Sequence, residues 1–203
     1  AGHYTTYSPA IDSFALKINK ADTIVADTLY LWWDNAKQYD KQQKLYDAKT
    51  ISADFLSDNI DKAMKTWKTS KWADEVDFNM FCNYILPYRL REEVLAPIGW
   101  RDSLYNRYYH LVDSVSDMGE AYTIIYNYIL KEMPIKPIGH FPYLLNPIDA
   151  GKVLRGKCLN QCVYMASVMR TLGIPAVVDG VSRWANYSKT GHTWVALIKK
   201  DGT

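Results

Sequence analysis

The sequence predicts an α+β protein, a mostly helical first part followed by a short run of strands. Three observations lead there. Apolar residues recur at helical spacing through to about residue 155. A proline-rich stretch then interrupts the pattern. After Gly173 the chain changes to short β-branched or alternating segments at 174–178 and 192–199. The division falls into a helical region over 1–115 and a second unit over 116–203.

The helices are read in order. Ser52 is a good N-cap, with Asp54 in the first turn where the helix dipole favours an acid. Leu56, Ile60, Ala63, Met64 and Trp67 then fall on one face. A second helix starts at Asp77, turns Phe78, Phe81, Cys82, Ile85 and Leu86 inward, and stops at Pro87. A third spans 102–115, with Leu104, Tyr108, Leu111, Val112 and Val115 as its stripe. A fourth runs over 119–133 and ends at Pro134 and Pro137. Residues 134–151 hold four prolines and read as a loop. A helix over 157–172 follows, closed by Gly173 beyond its C-cap. The two strands come next. Asp201-Gly202 is a hairpin signal whose second strand would lie beyond Thr203, so the sheet is expected to be completed by further chain or by another polypeptide.

Bulk properties narrow the partners. With 203 residues, 48% of them hydrophobic, the chain can bury a proper core. The net charge is +2 and no Lys/Arg run is long enough to track phosphates, so nucleic acid is not an expected partner. No stretch approaches the roughly 20 apolar residues of a membrane span. The start, Ala1-Gly2-His3-Tyr4, has no initiator Met and reads as a processed end, which favours export. The 16 Tyr and 7 Trp are unusually many. At helical spacing they read first as core filler, and second as the wall of a cleft for peptides or sugars.

The chemistry centres on Cys158. There are three cysteines, Cys82, Cys158 and Cys162, which is no disulfide framework. Thiolates are the reactive form, and a helix N-terminus favours them. Cys158 sits where a helix starts, after Arg155-Gly156-Lys157, with Gly156 allowing a tight turn and two cations adding positive potential. Cys162, one turn on, should point into the core. A nucleophilic thiol also needs a base. Of the four histidines, His192 opens a strand after Gly191 and can face a cleft mouth. His3 lies near a terminus and His110 in a helix, while His140, in the proline-rich loop, is the serious rival. A buried structural role is the bland reading of Cys158. A zinc site on Cys158, Cys162 and His192 lacks the second Cys/His pair such sites use, so no metal and no cofactor are expected. Asn186-Tyr187-Ser188 matches the glycosylation sequon, which is too short a match to carry weight.

Three blocks carry a family resemblance. Gly156-Lys157-Cys158 opens the helix, Met169-Arg170-Thr171-Leu172-Gly173-Ile174-Pro175-Ala176 ends it fifteen residues on, and Gly191-His192-Thr193-Trp194-Val195 follows. Together they resemble the transglutaminase-like (papain-related) superfamily, over the chain from about Glu120 onward. Val178-Asp179-Gly180 to Trp184 further resembles a bacterial, exported branch in which a large helical region precedes the core. The segment from Phe81 to Arg89, with Trp100-Arg101, looks like part of that region.

The resemblance implies a cysteine-protease core with a small antiparallel sheet. It implies acyl chemistry, in which Cys158 attacks an amide of a peptide or a glycan-linked substrate and His192 moves the proton. Trp184 and Trp194 are candidate substrate contacts in that reading, and cleft or core packing otherwise. The family usually has a small residue where Cys162 stands. It also places an Asp about fifteen residues after the His, which here falls beyond Thr203. Asp201 and Asp179 are poor substitutes, so no third catalytic residue is assigned. A catalytically silent binding or surface-interaction module with the same fold is the alternative.

Overall fold

The computed structural model describes residues 4–7, 43–135, 144–154, 156–183 and 190–201. It opens with a feature that local periodicity does not foresee. Strand β1 (Tyr4–Tyr7) pairs antiparallel with β2 (Gln43–Tyr46), Tyr4 opposite Tyr46. The first part is mostly helical as expected, and this pairing is added to it, because it joins segments far apart in sequence and periodicity reads only neighbours. The short α1 (Asp47–Thr50) follows directly. Asp47 is buried because Arg89 grips its carboxylate through Nε and Nη2, both at 2.6 Å.

Ser52 caps α2 (Ala53–Thr69) as its side chain allows, Oγ accepting from Phe55 N–H at 3.1 Å. The buried face matches the expected one in part, with Ala63 buried and Met64 and Trp67 packed partly buried against the core. Phe55, Asn59 and Ala63 point inward, whereas Leu56 is 40% and Ile60 45% exposed. The cause is a long-range partner. Asn59 Nδ2 donates to the Leu86 carbonyl at 2.9 Å and its Oδ1 accepts from Arg101 Nε at 2.7 Å, which turns the helix by one residue's rotation. Asp77 caps α3 (Phe78–Met80), and its chain continues as a single π-helical stretch, Phe81–Ile85. The wider turn buries Phe81 and Ile85 but leaves Phe78 63% exposed, against the inward orientation expected of it.

Helix α4 (Trp100–Tyr108) starts and ends earlier than the apolar stripe suggests and passes into a 3₁₀ turn, Tyr109–Leu111. Leu104, Tyr108, Val112 and Val115 are buried as expected. Asp117 caps α5 (Met118–Glu132) by accepting from Glu120 N–H at 2.7 Å. The stretch expected to be loop up to Gly151 contains α6 (Pro147–Val153). Asn146 caps it and Pro147 sits in its first turn, so the proline starts a helix instead of breaking one.

Helix α7 (Cys158–Thr171) is the centre of the molecule, buried without interruption from Gln161 to Thr171. α4 meets it where the Tyr108 and Tyr164 hydroxyls approach to 2.6 Å, and α5 where Gln161 Nε2 donates to the Met133 carbonyl at 2.6 Å. Gly173 ends it at φ +79°, and Trp72 Nε1 donates to the Gly173 carbonyl at 2.9 Å. β3 (Ala176–Val181) and β4 (His192–Leu197) then form a two-stranded antiparallel sheet, Ala176 opposite Leu197 and Val181 opposite His192. The fold is α+β, with helices gathered round α7 and the hairpin on its remaining side. One apolar core runs from Phe55 to Val195. Asp201 lies in a turn, and Gly202 is outside the described residues.

Three buried guanidinium groups fasten the helical region to this centre. Arg101 donates to the carbonyls of Ile85, Leu86 and Arg170. Arg170 Nε donates to the Ala176 carbonyl at 2.9 Å, and its Nη1 reaches the Arg89 carbonyl at 3.3 Å. Arg89 contacts the Glu93 carbonyl, and the buried Glu93 carboxylate accepts from Leu90 and Arg91 N–H, both at 2.7 Å.

Candidate functional site

The first turn of α7 is built so that Cys158 begins the helix. Lys157 is the N-cap residue, in extended conformation at φ −75° and ψ 172°. Its backbone N–H donates to Asn160 Oδ1 at 3.1 Å. Gly156 permits this arrangement, since a Cβ there would lie 2.5 Å from Asn160 Cβ. The first amide bonded within the helix is Gln161 N–H, which donates to the Lys157 carbonyl at 3.1 Å. Amides of a helix's first turn, here beginning with Cys158, have no intrahelical acceptor and give that end its positive character. Cys158 is half-buried there, whereas Cys162 is 5% exposed. Burial pushes the Cys162 thiol up to about 11, against a smaller lowering by the Thr193 hydroxyl. Cys162 is thus a neutral thiol at physiological pH, as its expected core position requires.

The hairpin lies along α7 in a definite sense. Its Ala176–Leu197 end meets Arg170 near the helix C-terminus. Its other end lies beside Cys162, close to the buried Thr193 hydroxyl, which has no hydrogen-bond partner among the described residues. Following β4 backwards from Thr193 leads to His192. Following α7 backwards from Cys162 leads, after about 6 Å of helical rise, to Cys158. Thiol and imidazole therefore belong to the same end of the helix–hairpin layer.

Side chains in a strand alternate between faces. Ala176 and Val195 are buried, and Thr193 stands against Cys162, so the face carrying Thr193, Val195 and Leu197 is the one on α7. His192, Trp194 and, across the ladder, Asp179 share the other face. The His192 and Trp194 rings are 6.4 Å apart and tilted by 35°. Asp179 turns its carboxylate to the next amide, accepting from Gly180 N–H at 2.7 Å.

α5 supplies a further wall that the sequence did not single out. Tyr122 donates to the Val195 carbonyl at 2.7 Å and stacks on Tyr126 with centroids 5.8 Å apart. Its spacing from Tyr126 marks a helix face, but nothing local signals a bond to a strand 73 residues away. His110 is exposed in the 3₁₀ turn. His3, His140, Arg155, Trp184 and the 186–188 sequon lie outside the described residues. Among the described residues, no three His, Cys, Asp or Glu side chains gather so as to hold a metal ion, and no helix is long and apolar enough to cross a membrane. Two surface hollows lie elsewhere, one beside Trp72, Tyr105 and Tyr109 and one of about 360 Å³ beside Asp47, Ile51 and Tyr88. Comparison with protein-family models, with curated proteins and with solved structures finds no match to this chain.

Proposed function

We propose that the chain is a thiol-dependent amide-bond hydrolase or acyl transferase of the transglutaminase-like kind, with Cys158 as nucleophile and His192 as its base. In this reading the imidazole takes the thiol proton and the thiolate adds to the amide carbonyl. The C–N bond breaks as that proton passes to the departing amine, which leaves a thioester. Water or a second amine then releases the acyl group. The Cys158 amide is one donor to the oxyanion. A peptide or a glycan-linked amide is the substrate class.

The observation that carries the reading is the alignment of α7 with β4. In its support, the half-buried Cys158 opens α7, and His192 opens the strand whose other end pairs with Ala176 beside Arg170 near the C-terminus of α7. A second reading, a catalytically silent binding module, draws on strand alternation, which sets His192 on the face away from α7.

Alkylation separates the two. Cys82 is half-buried like Cys158 and is an internal standard. At pH 7, iodoacetamide should modify Cys158 at least roughly tenfold faster than Cys82, as a paired thiolate does. His192→Ala should remove most of that advantage. The rates are read from the labelled peptides by mass spectrometry. Equal rates at the two cysteines would leave the silent module as the better account.

A further inference from the structure

The ladder parity of the hairpin shows which backbone groups point out of the sheet. Ile198 N–H donates to the Pro175 carbonyl at 3.0 Å, so 175 and 198 form a hydrogen-bonded pair. Counting along the register, Val177–Ala196, Asp179–Trp194 and Val181–His192 are of the same kind. Ala176–Leu197, Val178–Val195 and Gly180–Thr193 are then the pairs whose N–H and C=O groups point outward. Two of those outward carbonyls are taken by side chains. Arg91 Nη2 donates to the Val178 carbonyl at 3.3 Å on the β3 edge. Tyr122 donates to the Val195 carbonyl at 2.7 Å on the β4 edge.

The second bond stands where the N–H of a neighbouring strand would stand in a wider sheet. It is short and half-buried, and it comes from α5, a helix independently held to α7 by Gln161 and the Met133 carbonyl. Val195 is three residues from His192 along β4, and Thr193, between them, shares the α7-facing side with Val195 and lies beside Cys162. β4 is thus held at Val195 by α5 and packs on α7 through the same buried residue, just beyond the histidine. Burial and the neighbouring Tyr126 push the Tyr122 hydroxyl up to about 12, which keeps its proton in place to donate.

We infer that Tyr122 is a positioning residue for the Cys158–His192 pair, acting through the Val195 carbonyl to set how far β4 sits along α7. This rests on the reading of Cys158 and His192 given above. A stabilising bond with no such role would affect only the melting temperature. A positioning bond also affects how strongly the imidazole assists the thiol.

Tyr122→Phe removes the hydroxyl and keeps the ring. Cys158 alkylation by iodoacetamide is followed from pH 5 to 9 by peptide mass spectrometry, below the melting point of each variant, with His192→Ala in parallel. The expected result is a Tyr122→Phe profile displaced toward that of His192→Ala, with the pH 7 rate down roughly fivefold, the scale of one lost hydrogen bond. If His192→Ala moves the profile and Tyr122→Phe lowers only the melting temperature, the positioning inference is overturned and the Cys158–His192 reading stands. If His192→Ala leaves the profile unchanged, both fall together. Should Tyr122→Phe fail to fold, Tyr122→Met, which also lacks a donor, takes its place under the same outcomes.

Discussion

Cys158 and Cys162 are the same residue type one helical turn apart, and their surroundings give them opposite characters. Cys158 opens α7 half-buried, among amides without intrahelical acceptors. Cys162 is enclosed, and its thiol is raised from 9.0 to about 11. The second fact has a pH consequence whose sign is fixed. Above about pH 9 the unfolded thiol gives up its proton while the folded one keeps it, so the unfolded state binds fewer protons. Stability should therefore fall as pH rises from about 9 to about 11, by up to about 3 kcal/mol from this group. Tyr164 and Tyr122, each raised to about 12 mainly by burial, extend the loss above pH 10. Urea midpoints measured between pH 8 and 10 should flatten in Cys162→Ala. An unchanged slope would mean that the thiol is not the group responsible. Position in the sequence was enough to tell the two cysteines apart, because a helix start is a local signal. The contact of Cys162 with Thr193 was not legible, since it depends on how a strand 31 residues on settles against the helix.

Among elements, those with strong local punctuation were legible. Ser52, Asp77, Gly156 and Gly173 mark ends that the structure keeps, and they do so with caps and turns that involve near neighbours. Gly173 is the sharpest case. Its φ of +79° suits glycine, while a Cβ there would meet Ser70 and Thr66 at an ordinary 3.4 Å. The cost of Gly173→Ala is accordingly backbone strain without a clash, about 1–2 kcal/mol. Thermal melting should show that loss with the alkylation rate of Cys158 unchanged, since the other end of α7 is untouched. What escaped the sequence was the facing of α2 and the π-helical turn after α3. In both, an element turned to serve a partner far along the chain. Asn59 is buried because Arg101 and Leu86 satisfy it, although Leu56 and Ile60 are the more apolar candidates for that face.

At the scale of the whole molecule, the buried guanidinium groups decide how the helical region joins the rest. Arg101 is fully enclosed, and burial followed by the Arg170 charge pushes its pKa down. It contacts Asn59 and the carbonyls of Ile85, Leu86 and Arg170, so α2, the π-helical turn, α4 and α7 meet at one side chain. Arg101→Met keeps the volume and orphans those acceptors, which should cost about 3 kcal/mol. The urea midpoint should drop at constant m-value, and an unmoved midpoint would show that the acceptors find other donors. The α+β class was legible from the change of period after Gly173, whereas the β1–β2 pairing and the shared core were not, because both are long-range. The uninterrupted burial of α7 from Gln161 to Thr171 carries one more consequence. Opening the helix there would expose the centre of the core, so hydrogen exchange of those amides should require global unfolding. Three residues before Gln161, the Cys158 amide stands at an end that frays alone and should exchange orders of magnitude sooner. One rod is thus expected to carry a slowly exchanging segment and, at its tip, the amide that the proposed reaction would use.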